Sequence, residues 1–95
     1  MANVEVVRND ALHQFEVTQE GETAVLTYRE TPGTITFLHT GVPEVMEGRG
    51  IASRLTLAGL TFAREHGLRV VPLCPFVADY IERHPEYQDL VGDPR

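Results

Sequence analysis

Met46 to Ala52 reads MEGRGIA, two glycines around Arg49 just ahead of a helical pattern. Such an arrangement can hold a phosphate. A helix start leaves its first backbone N–H groups unpaired and carries partial positive charge. Glycines lack the Cβ that would keep an anion off the main chain. Arg49, with Arg54 a turn later, can add side-chain charge. The same glycines can also be plain turn residues. Two familiar phosphate loops do not fit. The nucleoside-triphosphate loop requires a lysine followed by Ser or Thr, and all eight basic residues here are arginines. The dinucleotide fingerprint wants a third glycine at position 53, where Ser53 stands.

Three further side chains carry chemistry. Cys74 stands between Leu73 and Pro75, at the end of an apolar run and the start of a helix. It can be a small core residue, pocket lining, or a nucleophile whose pKa the helix start lowers. It can also be a redox-reactive thiol with no ligand loop involved. His39 alternates with Ile35 and Phe37, which puts it on their apolar face as hydrogen-bonded core or as a general base. Glu44, in the loop that follows, is a second candidate base. The four histidines are scattered and show no metal-ligand spacing with one another or with Cys74, so no metal is expected.

The elements that must position these groups follow from periodicity. HQFEV, TAVLTYRE and TITFLHTGV alternate as strands, broken by Glu20-Gly21-Glu22 and Thr31-Pro32-Gly33. From Gly50 to His66 the period becomes helical, with Ile51, Leu55, Ala58 and Phe62 on the apolar side. Gly67 sits where a helix C-terminus wants a left-handed residue. LRVVPL reads as a strand buried between covered faces. A short helix starts at Pro75, and HPEYQDLV adds a last turn or two. The order is β-β-β-α-β-α, an α/β (α+β mixed) fold in which a three-stranded antiparallel meander is followed by a crossover helix and a parallel strand. Ligands in such sheets favour the carboxyl ends of the parallel strands, where the glycine loop and Cys74 both lie.

Ninety-five residues are expected to form one domain, 1–95. A net charge of −6 argues against nucleic-acid binding. The first residues, MANVEVVRND, show no secretory pattern, and no apolar run spans a membrane, so a cytoplasmic location is expected. A lone cysteine forms no internal disulfide. Oligomeric state, monomer or homodimer, stays open.

VPEVMEGRGIASRL resembles motif A of the GNAT N-acetyltransferases, whose Q/R-x-x-G-x-G/A loop binds the pyrophosphate of acetyl-CoA. The run H-T-x-V-P, G-x-G-I-A and C-P-F-V-x-x-Y-I is similar to the minimal, YjdJ-type branch of that superfamily from His39 almost to the C-terminus. The motif's Gln or Arg is replaced by Val45, and Glu47 adds an acid beside the loop. The resemblance implies a GNAT-like mixed sheet that binds acetyl-CoA and moves acetyl to an amine in a ternary complex. The acceptor can be a small amine, peptide or protein. It implies cofactor contacts from Val42, Gly48, Arg49, Gly50, Ile51, Ala52, Ser53, Cys74 and Phe76. It implies catalytic roles for His39 or Glu44 as base, Cys74 beside the thioester, and Tyr80 as proton donor to the coenzyme A sulfur. A coenzyme A-binding module without catalysis is the alternative.

Overall fold

Phe15 and Val17 alternate with polar neighbours, and β2 (Gln14–Gln19) turns both onto one face, where they are buried. Glu20 and Gly21, both at positive φ (54° and 80°), make the two-residue turn into β3 (Glu22–Thr31). Ala24, Leu26 and Tyr28 of β3 bury on the same face. Pro32-Gly33 then turns the chain into β4 (Thr34–Gly41), Gly33 supplying the positive φ of 79°. The computed structural model describes residues 5–91, so the expectation of no leader falls partly, at residues 1–4, outside them. It adds an edge strand that alternation does not announce, β1 (Val7–Asn9), paired antiparallel to β2. Arg8 of β1 faces the helices, its guanidinium 4.5 Å from the centre of the Phe62 ring.

The first helix, α1 (Ile51–Glu65), crosses over to β5 (Arg69–Pro72), which pairs parallel to β4 from Thr34↔Arg69 to Phe37↔Pro72. The sheet order is β1-β2-β3-β4-β5. At its end α1 closes with the Leu68 N–H donating to Ala63 O (2.8 Å) and the Gly67 N–H to Arg64 O (3.3 Å), with Gly67 left-handed as its position foretells. The second helix, α2 (Pro75–Arg83), has proline in its first turn, and a 3-10 segment follows over Pro85–Leu90. Val91 then bridges Val70 in parallel on the outer side of β5.

Right-handed connections on both sides of β5 place α1 and α2 on the same face of the sheet, in contact with each other. β5 is therefore covered on one side only. Val70 is buried, Val71 half-buried and Arg69 exposed, which corrects the reading of a strand enclosed on both faces. The opposite face carries Glu16, Thr27, Arg29 and His39, and no element among the described residues covers it. The buried side of α1 is also rotated from the expected one. Thr56, Gly59, Leu60 and Ala63 join Ile51 and Leu55 in the core, while Ala58 and Phe62 stand at its margin.

Arg64 ties the closing segment to α1. Its Nη1 and Nη2 donate to the two carboxylate oxygens of Asp89 at 3.1 and 3.0 Å, and Nη2 donates to Glu86 O at 2.8 Å. The Arg64 hydrogen bond holds the Asp89 carboxyl below its ordinary value. A depressed carboxylate contributes stability that is present above the unfolded-state pKa and is lost as pH falls through the folded one. Thermal melts between pH 6 and roughly pH 3 should thus show a smaller acid-induced loss in Asp89→Asn than in the parent chain. Parallel melting curves for the two would show that the clamp adds nothing.

Candidate functional site

The site lies where β4 and β5 part. Their ladder ends at Phe37↔Pro72, and Pro72 has no N–H with which to continue it. Beyond that point the Cys74 N–H donates to Phe37 O at 2.9 Å, while β4 runs on to Gly41 paired with β3 alone. Leu38 is an extra residue in β4, because Tyr28 pairs with Phe37 and Thr27 with His39. This bulge reverses the facing of every later residue. Thr40 now pairs with Leu26 and points to the helices, whereas His39 pairs with Thr27 on the open face. His39 is exposed there beside Gly41, which corrects the placement of this histidine on the apolar face of Ile35 and Phe37.

The chain leaves β4 through Val42 and Pro43, makes a 3-10 turn over Glu44–Met46, and enters the glycine loop. Met46 is buried and anchors that turn. Gly48 (φ 83°) and Gly50 (φ 73°) are both left-handed, and a Cβ built on either would meet no atom within 4 Å. Their lack of a side chain therefore leaves open space beside the main chain. Gly50 caps α1 with no side-chain hydrogen bond to the helix amides, and the first in-helix bond is donated by the Arg54 N–H to Gly50 O at 3.1 Å. The N–H groups of Ile51, Ala52 and Ser53 open the helix.

A cavity of about 240 Å³ sits on this loop, lined by Val42, Met46, Glu47, Gly48, Gly50, Ile51, Ala52, Ser53 and Phe76. Seven of the nine residues expected at a cofactor, Val42, Gly48, Gly50, Ile51, Ala52, Ser53 and Phe76, are thereby brought together. Arg49 and Cys74 are outside that lining. Arg49 turns to the β2–β3 turn, its Nη1 donating to Gln19 Oε1 at 2.9 Å. Cys74 is 2% exposed at the foot of α2, with Sγ 3.1 Å from the Thr40 hydroxyl. Sequence reasoning leaves out Thr40 and Met46, whereas Glu47, read there as an acid beside the loop, does line the cavity. Thr40 reaches Cys74 only through the bulge, which leaves no sequence signal, and Met46 reads as ordinary loop.

The candidate catalytic groups are dispersed. Glu44 is exposed at the start of the 3-10 turn. Tyr80, one helical turn beyond Phe76, stacks on His84 with ring centroids 4.0 Å apart and packs near Tyr87. Burial, with Tyr87 and Glu86 nearby, pushes the Tyr80 hydroxyl above its ordinary value, so it stays protonated at neutral pH. His39 and Cys74 stand on opposite faces at the strand gap. Among the described residues no cluster of His, Cys, Asp and Glu could hold a metal ion, and no helix is long and apolar enough to cross a membrane.

Known proteins resemble this chain in sequence and in fold. Residues 14–90 match the family model for the GCN5-related N-acetyl-transferase. The chain is 32% identical over 92 residues to Protein NATD1 of Xenopus tropicalis, covering 94% of this chain and 84% of that one. To mouse Protein NATD1 it is 38% identical over 80 residues, covering 81% and 73% respectively. The solution NMR structure of a GCN5-like protein from Staphylococcus aureus superposes with a TM-score of 0.74 at 28% identity, covering all of this chain and 94% of that one.

Proposed function

This chain belongs to the GCN5-related N-acetyltransferase family, and we propose that it binds acetyl-CoA on the glycine loop and transfers the acetyl group to an amine. The observation that carries the reading is the cavity at the start of α1. There two left-handed glycines, uncapped amides and Phe76 border one space. The residues fit the ligand's two ends. Amides of Gly48 to Ser53 suit a pyrophosphate, and Val42, Met46 and Phe76 offer apolar walls to the arm that follows. The unpaired edge of β4 between Leu38 and Gly41 supplies free backbone groups along the same path.

Acetyl-CoA would supply the acetyl group as an activated thioester; the protein's part is positioning and proton handling. The acceptor amine must lose a proton to attack; His39, exposed on the open face, is the first candidate to take it, with Glu44 second. The Thr40 hydroxyl and the Cys74 thiol line the helix side of the strand gap. Tyr80, kept protonated, is the candidate acid for the departing thiolate. Direct transfer in a ternary complex is preferred to an acetyl-cysteine, since the Cys74 partner is a hydroxyl, not a histidine or carboxylate. A cytoplasmic setting and amine acceptors, small or polypeptide, belong to this reading.

A second reading, a coenzyme A-binding module without turnover, is favoured by the dispersal of the candidate catalytic groups, with His39 and Cys74 on opposite faces. Turnover separates the two. In the enzyme, incubation with acetyl-CoA and a panel of amines releases free thiol. Binding without thiol release leaves the module. Cys74→Ala should retain most of that release, and intact mass of the parent chain should show no acetyl adduct. A stable adduct that is absent from Cys74→Ala, together with lost turnover, would instead establish the covalent route.

A further inference from the structure

The one basic side chain inside the glycine loop is directed away from the cavity. Arg49 Nη1 donates to Gln19 Oε1 at 2.9 Å and lies 3.5 Å from Glu20 Oε2, and Arg49 does not line the cavity. Both acceptors sit at the tip of the β2–β3 hairpin. Glu20 takes the first position of its two-residue turn at φ 54°, a left-handed conformation that suits Asn, Asp or Gly and not glutamate. What the glutamate contributes there is a carboxylate long enough to reach the glycine loop. The same tip thus combines an ill-suited turn residue with an ion pair to the loop on which the ligand reading rests.

We propose that the hairpin tip is a latch on the ligand loop: Gln19 and Glu20 hold Arg49 off the phosphate position, and so set the affinity for coenzyme A. The inference deepens the acetyl-CoA reading and rests on it. The side chains in the pair are 40% and 64% exposed, so water screens it and it is easily exchanged. A diphosphate offers Arg49 a doubly charged, forked acceptor in its place. Glu20 opposes binding twice, by retaining Arg49 and by placing a negative charge near the entering phosphates. Both residues are therefore affinity-setting positions that act through Arg49, with no contact to the reacting atoms.

Isothermal titration of the full chain with acetyl-CoA tests this. Glu20→Gln should tighten binding about two- to fivefold, the range of an exposed ion pair, and the gain should shrink as salt is raised. Glu20→Asn, which accepts the left-handed turn, should give the same gain with the hairpin secure. In an Arg49→Gln background the gain should fall to the smaller share owed to the Glu20 charge alone. An unchanged or weakened constant in Glu20→Gln and Glu20→Asn overturns the latch, as does an equal gain without Arg49. Failure of the parent chain to bind would remove the coenzyme A reading itself. The latch is then decided by the Arg49 side-chain N–H resonances. Faster exchange with water in Glu20→Asn supports it, and identical spectra overturn it.

Discussion

Gly50→Glu is expected to abolish acetyl-CoA binding while the protein remains folded. In the free chain a Cβ at position 50 meets nothing within 4 Å, so the substitution introduces no clash. It does force a side chain into φ 73°, at a cost of about 1–2 kcal/mol. Part of that is offset, because a carboxylate at the start of α1 is attracted by the helix dipole and by the amides of Ile51 to Ser53. The protein would then carry its own anion where the ligand's pyrophosphate is proposed to sit. The check is thermal denaturation with ligand at a hundred times the parent chain's dissociation constant. There binding should add about 2.7 kcal/mol to the parent chain, and nothing to the variant. Gly50→Asn, which tolerates left-handed backbone and brings no charge, should keep a reduced shift. Equal shifts in the parent and Gly50→Glu chains would place the ligand on another surface.

Gly59→Val should unfold the protein at markedly lower temperature, against the usual trend for a helix. Replacing glycine inside an exposed helix generally stabilises, by up to about 1 kcal/mol. Here a Cβ would lie 2.8 Å from both Cε1 and Cζ of Phe37 and 3.3 Å from Leu26 Cδ2. Phe37 and Leu26 are both fully buried, so neither can withdraw without displacing other core atoms. Overpacking of this kind costs about 1–3 kcal/mol, a fall of roughly 5–20 °C in Tm for a domain this size. Pairing it with Phe37→Leu should recover part of the loss. A Gly59→Val chain as stable as the parent would mean that α1 stands further from the sheet than the Phe37 contact indicates.

Those two glycines mark what was legible in the sequence and what was not. Gly50 announces itself, because it follows a strand and precedes an amphipathic run. Gly59 counts as neutral in any apolar pattern, so the pattern runs through Ala58 and Phe62, one position off the observed centre. The meander, the crossover helix, Gly67 and the helix from Pro75 were all readable, since each rests on local periodicity or a backbone requirement. β1 was not. Three residues with an exposed Val7, and Arg8 turned inward onto Phe62, leave no alternation to detect. That the loop and Phe76 border one cavity was readable from position and family likeness. The Arg49 contacts with Gln19 and Glu20 bridge about thirty residues of chain and depend on the hairpin's length and angle, which no local pattern encodes.

The bulge at Leu38 makes β4 a strand with two phases. Ahead of it odd-numbered residues, Ile35 and Phe37, belong to the interior; after it the even-numbered Thr40 does. The strand therefore has a stretch whose inward side chains fill the core and a stretch whose side chains border the strand gap, joined at one residue. Neither His39 nor Thr40 could hold its present side of the sheet if the chain were one residue shorter there. Substitutions can retune this site, but only a change of chain length can exchange its two walls.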